Sequence, residues 1–138
     1  MADAVVGGRA RGLAAAEVRR VTSAVLTGER RQAELSVSFV GPATMRALNR
    51  EHKGKDQPTD VLAFSLSQPG NPLIGDIYIC PAVARAQARR LGVPPREELL
   101  RLLVHGVLHV LGHDHPEGAG REQSSMWRRQ ERYLRQLA

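Results

Sequence analysis

Between Ala33 and Val40 the chain alternates. Leu35, Val37 and Phe39 are apolar, Ser36 and Ser38 are polar, and that period belongs to a strand with one buried face. Upstream, residues 13–26 read as a helix with Leu13, Val18, Val21 and Val25 on one side and Gly28 near its end. Residues 1–12 carry neither pattern and are expected to be loosely ordered. Gly41-Pro42 ends the strand and opens a short helix over 42–51. A polar loop, 52–59, leads into a strand over 60–66. A turn-rich connection, 67–72, then precedes a second strand over 73–80, stopped by Pro81. Residues 82–91 form a helix closed by Gly92. The segment 96–111 is apolar on nearly every side, which predicts a central buried helix, with Gly112 as a left-handed stop. A loop over 116–120 and a basic amphipathic helix over 121–137 complete the pattern. Strands in the middle with helices around them predict an α+β fold: a mixed sheet of three to four strands packed by helices, in one domain spanning 1–138.

Composition narrows the class. Hydrophobic residues make up 42% and charged residues 25% of the chain, ordinary for a soluble globular protein. No apolar run is long enough for a membrane span, and the N-terminal residues lack the apolar core of a secretion signal. A single cysteine, Cys80, excludes an internal disulfide framework and reads as a small buried apolar residue. The expectation is a cytoplasmic protein with no membrane partner. The net charge of +6 favours polyanionic partners. Codon bias explains part of that charge, since only Lys53 and Lys55 of the 20 basic residues are lysine. Two Tyr, two Phe and one Trp argue against an aromatic platform for bases.

The chemistry is concentrated in HGVLHVLGHDH, residues 105–115. His105 and His109 are four apart on one helix face, and Gly112 lets the chain turn back so that His115 reaches the same point. Three histidines leave one position of a tetrahedral ion open, as catalytic sites do. His113, directly after the turn, competes for the third place; His115 is favoured because its spacing matches known sites of this form. Those sites belong to the metzincin peptidases, HExxHxxGxxH. Their glutamate is replaced here by Gly106, which disfavours peptide hydrolysis by that route. An ion that lowers the pKa of bound water could still serve phosphodiester hydrolysis. Asp114 is the nearest carboxylate, either orienting a ligand histidine or capping locally.

HGVLHVLGHDH resembles the HGxLHLxGYDH signature of the YbeY family of bacterial endoribonucleases and rRNA maturation factors. Residues 48–64, LNREHKGKDQPTDVLAF, are similar to the family's LNxxYRxKDxPTDVLSF, and residues 73–80, LIGDIYIC, to its LGDIxI strand. Together these cover roughly residues 35–115. The resemblance implies a compact α+β fold and one Zn2+ or similar divalent ion on His105, His109 and His115. It further implies cleavage of single-stranded RNA, not DNA, in 3′-end maturation of small-subunit rRNA, ribosome assembly and ribosome quality control. The implied partners are a small-subunit ribosomal protein and an assembly GTPase.

Two positions depart from the family pattern. Its motif tyrosine is His113 here, and its loop Tyr-Arg pair falls at His52 and Lys53. Lysine keeps the charge but loses the planar two-pronged grip on phosphate. Lys53 and Asp114 are the candidate catalytic residues, and Lys53, Lys55 and Arg50 the candidate RNA contacts. Any base must otherwise come from the ion, the substrate, or the loop with Lys53 and Asp56. His113 and Asp76 are candidate supports of the ligands, with Asp76 inside an apolar strand where an unpaired carboxylate is costly. Thr59 and Asp60 should fix the loop entering the strand. Arg128, Arg129, Arg132 and Arg135 form a basic helix face, and Met126 and Trp127 read as core. The rival functions are a non-cleaving ribosome-assembly factor with a structural zinc and a small metallopeptidase.

Overall fold

The computed structural model describes residues 3–115 and 120–137. Four strands, β1 (Asp3–Gly7), β2 (Glu34–Phe39), β3 (Val61–Ser65) and β4 (Ile74–Ile79), form one sheet in the order β1-β2-β4-β3. β1 and β4 each run parallel to β2, and β3 runs antiparallel to β4. The helices are α1 (Ala15–Gly28), α2 (Pro42–Lys53), α3 (Pro81–Leu91), α4 (Pro95–Val110) and α5 (Ser125–Leu137). The α+β architecture with a mixed four-stranded sheet is the one the patterning predicts.

One expectation fails. Residues 3–7 are not loose; they form β1, with Ala4 opposite Leu35 and Val6 opposite Val37. Val5 is 70% exposed and no alternation marks the segment, so its order comes from backbone pairing to β2 and from packing against α1. Gly8 turns the chain away at φ +70°, where a Cβ would collide with the Phe39 carbonyl. α2 runs two residues past the expected end, to Lys53, and is stopped by Gly54 at φ 70°. The last helix is preceded by a 3-10 turn, Arg121–Gln123. The Ser124 hydroxyl then accepts from the Trp127 N–H at 3.1 Å and starts α5. Of the loop expected over 116–120, residues 116–119 lie outside the described residues.

Both faces of the sheet are covered unequally. Leu35, Val37, Phe39, Ile77 and Ile79 join the buried faces of α1 and α4 in the main core, while Met45 of α2, Leu62 and Cys80 make a smaller cluster on the other face. α4 is buried from Glu98 to Leu108 apart from Arg101, as its all-round apolar sequence demands. It crosses β4 at close range. A Cβ on Gly106 would stand 2.8 Å from the Ile77 γ-methyl, and one on Gly75 would collide with Val110. The absent side chain at 106 is therefore a packing requirement of the helix–sheet contact. That close approach fixes the height at which α4 presents His105 and His109 beside the edge strand β3.

Candidate functional site

His105 and His109 project from α4 toward β3, and the turn at Gly112 (φ 100°) returns His115 to them. The ring centroids of His105 and His115 are 4.9 Å apart, those of His105 and His109 6.0 Å, and those of His109 and His115 6.3 Å. All three rings line a cleft of about 370 Å³ together with Lys53, Lys55 and Arg121. Among the described residues no group of three or more His, Cys, Asp or Glu side chains is placed so that it could hold a metal ion without rearrangement. Two of the rings are nonetheless oriented by hydrogen bonds as metal-binding imidazoles are.

His109 Nδ1 lies 3.0 Å from the carbonyl oxygen of His113, a pure acceptor, so Nδ1 carries the proton. His105 Nδ1 lies 2.7 Å from Gln130 Oε1. The amide of Gln130 is held the right way round because its nitrogen donates to Glu131 Oε2 at 3.0 Å. Glu131 is itself gripped by Arg101, at 2.9 and 3.1 Å. The chain Arg101–Glu131–Gln130–His105 thus protonates Nδ1 and leaves Nε2 with its lone pair. Such outer hydrogen bonds orient metal-binding histidines. Burial, with the charges of His115, Arg121 and His109 adding to it, pushes His105 down to about 4 despite the opposing bond to Gln130. At neutral pH its ring is uncharged, the form that binds cations. His105 and His109 are thus oriented as ligands would be, and His115 is the third imidazole on the same cleft.

The remaining candidates separate. The His113 ring leaves the cleft, its Nε2 bonding Glu29 Oε1 at 2.8 Å; it supports His109 through its backbone carbonyl instead. Burial pushes the Glu29 carboxyl up, but hydrogen bonds from Tyr133, His113 and Arg129 outweigh this and hold it below the usual carboxylate value. Asp114 is exposed and accepts the His115 N–H at 2.8 Å, shaping the turn without facing the cleft. Asp76 is no support for the ligands: it alternates with Gly75 and Ile77, which meet α4, and lies opposite Phe64 on the other face of the sheet. Arg50 points away to Asp56 at 3.6 Å. Asp56 is chelated by Arg46 at 2.8 and 3.0 Å, whose hydrogen bonds lower its pKa and make it a poor base. Lys53 and Lys55 do line the cleft, and Lys53 Nζ sits 5.8 Å from the Phe64 ring centroid. His52 meets the same ring tilted at 43°, with centroids 4.6 Å apart.

Asp60 ties the loop to its strand: Oδ1 accepts from Val61 N at 2.7 Å and Oδ2 from the Gln87 amide at 3.0 Å. Buried Asn49 holds the loop from below, donating to the Gln57 carbonyl at 2.8 Å. Sequence reasoning passed over Asn49, Gln130, Glu131 and Arg121. A polar residue at a position where helix periodicity predicts burial was the available signal for Asn49 and Gln130. On the last helix, Met126 is core, but Trp127 is half-buried and lines a second cleft. Arg129 is tied to Glu29 at 3.0 Å and Arg128 to the Gln123 carbonyl at 2.8 Å, so the basic face is partly committed.

A family model described as "Endoribonuclease YbeY" matches residues 11–138. The chain belongs to the YbeY endoribonuclease family. A protein of that description from Persephonella marina is 42% identical over 86 residues, covering 59% of this chain and 56% of that relative. The Aquifex aeolicus relative is 41% identical over 103 residues, 73% of this chain and 67% of its own. The chain thus spans little more than half the length of the first of these YbeY relatives. In three dimensions it is similar to the solution structure of TM1509 from Thermotoga maritima, with a TM-score of 0.68 at 27% identity, covering 97% of this chain and 88% of that one. No helix among the described residues is long and apolar enough to cross a membrane.

Proposed function

We propose that this YbeY-family protein is a metal-dependent endoribonuclease that cuts single-stranded RNA. Its cellular task is maturation of the 3′ end of small-subunit rRNA in the cytoplasm, alongside a small-subunit ribosomal protein and an assembly GTPase. The observation that carries the reading is the convergence of three imidazoles and the cations Lys53, Lys55 and Arg121 on one cleft. The relatives described as endoribonucleases supply its direction.

His105, His109 and His115 would hold one divalent ion of the zinc type, which supplies Lewis-acid charge to a phosphodiester. The chain's own residues do the rest. Lys53 and Lys55 close one wall with mobile point charges that draw in the phosphate. Arg121 adds a guanidinium to the same lining. Gln130 and the His113 carbonyl keep the Nε2 atoms of His105 and His109 aimed inward. Gly106, pressed against Ile77, leaves no room for the glutamate a peptidase would use.

The test is cleavage of single-stranded and duplex RNA of the same sequence by purified protein and by His109→Ala. Cleavage of the single strand by the wild type alone is expected. Equal cutting by both proteins, or none by either, overturns the reading.

A further inference from the structure

A second cleft, of about 410 Å³, adjoins the first, and Asp60, His105 and Arg121 belong to the walls of both. Its size is that of a small-ligand site. Trp127 lines it, with the Arg121 guanidinium over the indole at 5.4 Å from the ring centroid. Arg121 Nε is buried and has no hydrogen-bond partner among the described residues, so this guanidinium is not committed to a carboxylate through that atom. The lining also includes Leu91, a leucine left 61% exposed at the end of α3. Two of the acidic groups on its walls are committed, Glu98 to Arg101 at 2.6 Å and Asp60 to Val61 N and Gln87, while the third, Glu122, is exposed to solvent at the rim.

We infer that this second cleft receives the nucleobase of the nucleotide flanking the scissile phosphate, and that Arg121 binds the phosphate linking the two clefts. The inference rests on the nuclease reading of the adjoining site. The planar surfaces of Trp127 and Arg121 are the kind on which unstacked bases rest. Leu91 gives the base an apolar cover. A base paired in a duplex cannot turn into such a recess, which makes the cleft a physical source of preference for single strands. A guanidinium from the 3-10 turn also restores the two-pronged phosphate grip that Lys53 cannot give.

Trp127 is the chain's sole tryptophan, so its fluorescence reports on this cleft alone. Adenosine 5′-monophosphate should quench it saturably, and ribose 5-phosphate should not. Arg121→Gln and, because position 91 is exposed and safe to change, Leu91→Glu should each weaken the nucleotide by roughly tenfold or more. Equal quenching by ribose 5-phosphate, no quenching by either compound, or unchanged affinity in both variants overturns the inference. RNA cleavage by the wild type is scored separately. Cleavage without quenching removes the base site and leaves the nuclease reading standing. Quenching without cleavage leaves a nucleotide-binding cleft but removes the nuclease reading, and with it the placement beside a scissile phosphate.

Discussion

His113 Nε2 is bonded to Glu29 Oε1 at 2.8 Å, across 84 residues of chain. The same carboxylate takes a hydrogen bond from Tyr133 at 2.7 Å and one from Arg129 at 3.0 Å. One buried acid therefore bolts the end of α1, the histidine turn and α5 together. Glu29→Ala removes the acceptor of three donors, of which His113 and Arg129 are partly open to water, and hydrogen bonds to charged groups contribute about 1.5–3 kcal/mol each before that solvation is discounted. We expect a loss of roughly 2–4 kcal/mol in urea denaturation, with His113→Ala costing less. A cost below 1 kcal/mol, on the scale of an exposed ion pair, would refute the bolt.

The direction of the His113 ring also separates it from the ligand set. His115→Ala should abolish stoichiometric metal in elemental analysis of the purified protein, and His113→Ala should retain it. Retained metal in the first variant and loss in the second would reverse the assignment.

Gln130 matters through the tautomer of His105. Gln130→Leu keeps the volume but removes the acceptor, leaving Nδ1–H buried and unpaired. Loss of such an outer partner typically weakens metal binding about 10–100-fold, which competition with a chromogenic chelator measures. Gln130→Glu keeps an acceptor and should bind more tightly than Gln130→Leu. Equal affinities in wild type and Gln130→Leu would show that the relay does not orient the ring.

Glu131 gives the fold an acid limb. Burial raises its pKa, but the hydrogen bonds from Arg101 and Gln130 bring it below the usual 4.5. Its folded pKa is thus below its unfolded one, so the stabilisation is fully present above about pH 4.5 and is lost as the pH falls through the folded value. Glu131→Gln should melt lower than wild type at pH 7, and the gap should close as the pH falls below the usual 4.5. A gap constant across that range would contradict the linkage. Tyr133, pushed up to about 12 by burial and by its bond to Glu29, follows the opposite sign. Its contribution holds below about pH 10 and fades only as the pH climbs toward 12.

Gly106→Ala tests the helix–sheet contact. Alanine gains about 1 kcal/mol of helix propensity over glycine, while overpacking costs about 1–3 kcal/mol. The Ile77 γ-methyl 2.8 Å away is part of a β-branched side chain that cannot swing aside. Net destabilisation is expected in thermal melts, and Gly106→Glu should fail to yield folded protein. A stabilised Gly106→Ala would mean that β4 and α4 can separate freely at this point.

Local periodicity and spacing were enough to read β2, the buried helix α4, the glycine stop at 112 and the three histidines with one geometric role. These depend on residues near one another in the chain, where side-chain period and turn chemistry decide. The choice between His113 and His115 did not, because it hangs on Glu29, 84 positions earlier. Asp76 went to the wrong face of the sheet for a ligand support because its placement depends on which side of β4 receives α4. β1 was invisible because its order is paid for by partners on β2 and α1. The relay from Arg101 to His105 and the second cleft with Arg121 and Trp127 arise only when α5 is laid across α4. Sequence by itself determined the chemistry available at the site; tertiary packing decided which side chains reach it, because long-range contacts set direction and burial where local pattern sets only spacing.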